Sequence, residues 1–221
     1  MKKTLLILTC AVLLAGGLTS CKKGENDPFL SLRSRKARVT GKWNLTTSTH
    51  YLDDRNSDND AIIFTQEVAD GIRSITVEIL EQGTVQPDLT GTTKQEYQTV
   101  LEINKDGTFT QTIVVTTIEQ QGMTVEGETT TQILSGTWAF VGKSNSGDLK
   151  NKEAIALTYL NSSYSSPNEN NQMTTTGFSD TQVLIIDQLK NKEMTITRNS
   201  SETDNDGSTD VDNYTATYEK E

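Results

Sequence analysis

From Gly41 onward the chain alternates. Trp43, Leu45, Thr47, Thr49 and Tyr51 share one parity, and Asn44, Thr46, Ser48 and His50 share the other. A period of two turns one set toward a core and the other toward water, the mark of a half-buried strand. The same period joins Tyr97, Thr99, Leu101 and Ile103, and it resumes in Phe109, Ile113 and Val115 after Asn104-Lys105-Asp106-Gly107. Asp-Gly between two alternating runs predicts a tight hairpin. Further strands are predicted over residues 123–134, 136–141, 154–160, 183–187 and 193–198, and in the set Tyr214, Ala216 and Tyr218. Short connections join antiparallel neighbours, whereas parallel pairs need long crossovers, so the expected fold class is all-β, an antiparallel up-and-down meander. A meander of about eight strands has to deal with its edges. Closure into a barrel removes them, and a two-sheet β-sandwich, the alternative, leaves several to protect. Three polar stretches, residues 53–60, 161–172 and 199–212, break the pattern and are expected as loops.

The amino end follows a different rule. Lys2 and Lys3 precede an apolar run over residues 5–14, and small residues lead to Leu18-Thr19-Ser20-Cys21. That run suits a secretory signal and is too short for a membrane helix. Leu-Thr-Ser-Cys resembles the lipobox of bacterial lipoproteins, which implies cleavage before Cys21 and lipid on its thiol. The expected organisation is a signal peptide over residues 1–20, a lipid-anchored tether over 21–38 and a β domain over 39–221. Each buried methylene contributes about 0.8 kcal/mol and a single chain anchors marginally, so the two or three acyl chains that the resemblance implies would hold the protein to the outer membrane. Of the two cysteines, Cys10 lies in the leader and Cys21 at the anchor, so the β domain carries neither thiol nor disulfide.

Charge narrows the partners. The chain carries a formal charge of -10, and removing Lys2 and Lys3 with the leader leaves 18 basic against 30 acidic residues. Such a surface repels nucleic acid. The one basic cluster, Arg33, Arg35, Lys36 and Arg38, is read as a solvated segment leading into the domain.

Candidate chemistry is sparse. Nucleophilic catalysis needs a nucleophile beside a base, and the chain offers one histidine, His50, on the parity read as polar. His50 is therefore expected as an exposed strand residue, and no catalytic residue, metal ligand set or cofactor is assigned. Two acidic stretches carry alternating oxygens that suit a hard cation: Asp54, Asn56, Asp58 and Asp60, then Glu202, Asp204, Asp206, Asp210 and Asp212. The second includes Asp204-Asn205-Asp206-Gly207 but has Asn213 where a bidentate glutamate is expected, and solubilising loops are the default reading of both.

Gly41-Lys42-Trp43 resembles the Gly-x-Trp that opens the first strand of lipocalins, where the tryptophan plugs the closed end of a barrel. Lys105-Asp106-Gly107-Thr108-Phe109, Ser135-Gly136-Thr137-Trp138 and the stretch from Leu189 to Thr195 resemble the lipocalin-like domains of bacterial outer-membrane lipoproteins, a likeness covering residues 39–220. It implies an eight-stranded barrel with a cup, Gly41 and Trp43 as its structural signature, and an arginine from the last strand over the tryptophan, for which Arg198 is the candidate. Leu45, Leu101, Ile113, Val115, Ile185 and Ile196 are the expected cup lining. The function expected is noncatalytic: an envelope lipoprotein, periplasmic or surface-exposed, that binds a small apolar or amphipathic molecule. A structural or protein-interaction role through the polar loops is the alternative, and a filled interior would favour it.

Overall fold

A computed structural model describes residues 34–141, 153–166 and 173–221. The signal peptide, Cys21 and Arg33 lie outside the described residues.

A five-residue helix, α1 (Arg35–Val39), precedes the barrel, with Ser34 Oγ accepting from Ala37 N at its start. Twelve strands follow: β1 (Gly41–Arg55), β2 (Ala61–Ala69), β3 (Ile72–Glu81), β4 (Thr84–Val85), β5 (Gly91–Ile103), β6 (Thr108–Gln120), β7 (Met123–Thr124), β8 (Thr129–Val141), β9 (Glu153–Ser165), β10 (Met173–Leu189), β11 (Glu193–Thr203) and β12 (Thr209–Lys220). All pairings are antiparallel, and β12 returns to β1 from Trp43↔Lys220 to Arg55↔Thr209, so the sheet closes. A barrel forms, as expected, and not a sandwich.

The strand count changes along its axis. At one end Gly41–Asn44 pair directly with Ile103–Val100 of β5, which closes a ring of β1, β5, β6 and β8 to β12. Toward the other end β1 leaves β5, and the β2–β3 hairpin fills the gap: Ser48–Arg55 pair with β2, and Ile72–Val77 of β3 pair with Gly91–Glu96 of β5. The barrel therefore closes with ten strands in its wide half, not about eight. The added pair escapes a search for alternation because Ile62, Ile63 and Phe64 run on as consecutive apolar residues. The tip of the hairpin, Asp70-Gly71, has positive φ at both residues and is tied to β5 through Tyr97 N and Gly71 O at 2.8 Å.

The narrow half is solid. Trp43, Ile103, Phe109, Ile155, Leu189 and Met194 are essentially inaccessible, and Leu101, Trp138, Leu157, Leu184, Ile186, Ile196, Ala216 and Tyr218 complete one cluster. Helix α1 caps it: Val39 joins the cluster, its carbonyl accepts from Trp43 Nε1 at 2.7 Å, and Arg38 Nη1 donates to Leu189 O at 2.5 Å. Gly41 has φ +134°, and a side chain there would strike the Lys220 stem. Freed by that glycine, Lys220 lays its ammonium 4.8 Å from the Trp43 ring centre and donates to Arg38 O. The cation over the tryptophan thus comes from the last strand but is Lys220, not Arg198. The described residues of the basic cluster likewise contact the barrel, with Arg35 paired to Glu153 and Lys36 lying 5.9 Å from the Trp138 ring centre.

Much of the three expected loops belongs to strands: Asp53 to Arg55 extend β1, Asn161 to Ser165 end β9, and residues 199–203 and 209–212 sit in β11 and β12. Thr, Ser and Asn line both faces there, and the ladder continues through them because backbone pairing does not depend on an apolar face. The expected break at Ser135-Gly136 is a bulge within the continuous strand β8.

Candidate functional site

A bulge decides which residues face the interior. Leu45 pairs with Tyr218 and Thr47 with Thr217, so Thr46 is the extra residue and the parity of β1 reverses beyond it. Ser48 and His50, read from sequence as outward, face the core, and Tyr51 faces solvent at 37% exposure. His50 Nε2 lies 3.0 Å from Asp212 Oδ1, with Phe64 and Tyr214 edge-on to its ring at 5.5 and 5.7 Å. The expectation of an exposed histidine is corrected.

Asp212 serves a second base. Its other oxygen receives Arg198 Nη2 at 2.8 Å, and the guanidinium lies 5.7 Å from the Tyr214 ring centre. Arg198, Tyr214 and His50 are in register across β11, β12 and β1. Around them stand Tyr159, whose hydroxyl donates to Gln111 Oε1 at 3.3 Å, and Gln182. Together these side chains wall a cavity of about 150 Å³ whose apolar floor is Leu101, Leu157, Leu184 and Ile196. On β3, Arg73 shares the inward parity of the buried Val68 beside it, donates to Gln95 Oε1 and stacks 4.4 Å from the Tyr97 ring centre.

Burial shapes the titration of this girdle. Removal from water pushes the Tyr159 phenol up to about 12, and it raises Tyr214 and, much further, Tyr218. These hydroxyls stay protonated and able to donate through the physiological range. Burial also lowers the Arg73 pKa, opposed by Tyr97 beside it.

The expected lining residues divide. Leu101 and Ile196 form part of the floor, and Ile113 and Val115 sit opposite Thr99 and Tyr97 on the interior parity. Leu45 packs against the solid core below. Ile185 is buried but lies between Leu184 and Ile186 on the opposite face of β10, outside the core cluster, so it does not line the interior. The girdle itself, with Arg73, Arg198, Asp212 and the tyrosines, was not anticipated. Arg198 and Asp212 fell in or beside a stretch read as loop, and the bulge at Thr46 carries no sequence signature.

No family model and no curated protein matches this chain. Its reading therefore rests on the site. Ser48 is 3% exposed on the same face as His50, yet its hydroxyl makes no hydrogen bond, so the contact between nucleophile and base that acyl transfer requires is not formed. The acidic stretches hold turns together. Asn56 Oδ1 accepts from Asp58 N and Asp60 N, Asp60 Oδ1 from Gln82 N, and Asp206 Oδ1 from Ser208 N and Oγ. Among the described residues no three His, Cys, Asp or Glu side chains converge as a metal site.

Proposed function

We propose that this chain is a noncatalytic envelope lipoprotein, anchored through Cys21, whose lipocalin-like barrel binds a small amphipathic molecule in its wide half. The observation that carries the reading is the cavity of about 150 Å³ with an apolar floor and a wall of hydrogen-bonding side chains. A dry apolar cavity of about that volume holds a benzene-sized molecule, whereas drug-sized ligands need roughly 300 Å³ or more. The ligand is accordingly small, and any larger part of it projects through the mouth.

Anchoring beside a membrane suits the barrel better than insertion into one. The outward positions of β5 are Thr92, Lys94, Glu96, Gln98, Val100 and Glu102. Charged side chains on a lipid-facing wall cost about 2–4 kcal/mol each at mid-bilayer for Lys, and less for Glu. The signal over residues 1–20 and the lipobox-like Leu18 to Cys21 support delivery to the outer membrane, on its periplasmic or its outer face.

Native mass spectrometry of the gently extracted protein tests this reading. A retained molecule of roughly six to ten non-hydrogen atoms per barrel, lost when Leu157→Trp fills the floor, is the expected result. A barrel that carries nothing and takes up nothing from a panel of small amphiphiles would sink it. The solid narrow half would then leave the alternative, a protein-interaction module presenting its wide-end turns.

A further inference from the structure

We infer that the ligand of the wide half is a monocarboxylate, its anionic end held by Arg198 and its short apolar body standing on Leu101, Leu157 and Ile196. The inference rests on the small-ligand reading and names the ligand's charge.

Three observations converge on it. Arg198 spends Nη2 on Asp212, while its Nε is buried and makes no hydrogen bond. A guanidinium offers five donors in a planar fork that matches a carboxylate, and buried donors are seldom left unmatched. Second, Asp212 is divided between Arg198 and His50, so it does not satisfy the arginine alone. Third, among the described residues Arg73, on the interior face outside the cavity lining, has Gln95 and Tyr97 as partners and no carboxylate. At the cavity itself one guanidinium, Arg198, stands against one carboxylate, Asp212, which His50 shares.

The remaining groups agree in kind. Tyr214 lines the cavity beside Arg198 as a protonated phenol, while the Tyr159 hydroxyl is given to Gln111. A cationic ligand would face Arg198, whose carboxylate partner is already shared with His50. A dianion such as phosphate would find a single guanidinium where it needs two positive charges. The apolar floor lies deeper than the charges, so the molecule enters tail first and its carboxylate stops at Arg198. By alternation Asp54, Asp180, Glu202 and Asp210 point inward at the mouth, but they are exposed, and salt screens such charges over about 8 Å at physiological ionic strength.

The test is calorimetric titration of the full chain, reconstituted in lipid nanodiscs, with hexanoate, 1-hexanol and hexylamine. Hexanoate is expected to bind at least about tenfold more tightly than hexanol, the ratio that one charge-assisted hydrogen bond of about 1.5 kcal/mol confers. Hexylamine is expected not to saturate. Arg198→Gln should remove the preference for the acid over the alcohol, with Arg198→Lys intermediate. Equal binding of acid and alcohol, or a preference for the amine, overturns the carboxylate assignment while the small-ligand reading stands. Binding of none of the three overturns both. Should Arg198→Gln fail to fold in a circular dichroism check, the ranking of the three probes on the unaltered protein decides by itself.

Discussion

The two halves of the barrel are built from the same strands and do opposite things. In the narrow half, inward positions are Trp, Phe, Leu, Ile and Met, buried together in one cluster. In the wide half the same strands point Arg198, Asp212, Tyr214, His50 and Gln111 inward around a cavity. The extra hairpin marks the boundary. Eight strands enclose an interior that side chains just fill, and inserting β2 and β3 widens the ring beyond what ordinary side chains span. The narrow half thus supplies the packed core, and the wide half is left with a cavity.

The first way to break that division is to truncate each half in turn. Trp43→Ala removes a side chain with no exposure, its hydrogen bond to Val39 O and the seat of Lys220. About 3–5 kcal/mol should be lost in chemical denaturation, the range for emptying a packed aromatic site. Val115→Ala, on the interior wall of the wide half, should cost about 1 kcal/mol or less, since its side chain is already partly exposed. Equal losses would mean that the wide half is packed as tightly as the narrow one.

That division also explains what could be read in advance. Alternation is readable where a face is apolar, so Leu101, Ile103, Phe109, Met194 and Ile196 announce the narrow half and the closed meander. Where the interior turns polar, residues 199–203 of β11 lose their contrast between faces, and inside and outside become indistinguishable by composition. The hairpin of β2 and β3 has apolar residues on both faces near Ile62–Phe64, which hides its period in the same way. The inversion of His50 is of another kind: one extra residue at Thr46 exchanges the faces of everything beyond it, and only the pairing partners on β12 reveal it.

The second prediction concerns the boundary itself, where the tyrosines lie. A phenol raised in the folded state keeps its proton after the unfolded chain has lost its own, so its contribution is complete below pH 10 and drains away as the pH climbs. For Tyr159, raised from 10 to about 12, that loss amounts to about 3 kcal/mol across the interval. Tyr214 and Tyr218 add to it in the same direction. Unfolding midpoints followed from pH 9 to 12 should fall steeply above 10, and Tyr159→Phe should flatten the curve. An unchanged slope in that variant would place Tyr159 in water, and with it the wall of the cavity.

The third test sharpens the role of bulges in joining the halves. At Gly136 an added methyl would collide with the Thr158 carbonyl across the β8–β9 bulge and crowd Phe109 beneath it. Gly136→Ala should therefore cost about 2 kcal/mol, in the range for overpacking. Gly177 has open space around it, but its φ of +78° disfavours any side chain, so Gly177→Ala should cost about 1 kcal/mol through the backbone alone. A reversed order would show that the bulge relaxes freely.

The smallest effect comes from a pair of turns that the molecule supplies as its own control. Asn104-Lys105-Asp106-Gly107-Thr108 at the narrow end and Asp204-Asn205-Asp206-Gly207-Ser208 at the wide end form the same hairpin, with main-chain bonds of 2.9 Å from Asn104 to Thr108 and from Asp204 to Ser208. Each central aspartate accepts from the backbone N–H two residues on at 3.0 Å. They differ in attachment. Gly107 O and Asn104 O receive Trp138 N and Nε1, both at 2.8 Å, so the narrow turn is clasped to the core, while among the described residues the wide turn closes on itself. Asp106→Ala should then lower the melting temperature more than Asp206→Ala, although the two side chains make the same local bonds. Those bonds hold both carboxyls below the ordinary 3.8, so their support is complete above that pH and fades as the pH falls through the folded value. As the pH falls through the folded values each alanine variant should converge on the unaltered protein; a gap between the variants that persists at the acid end would trace to the packing of Trp138 rather than to the aspartates.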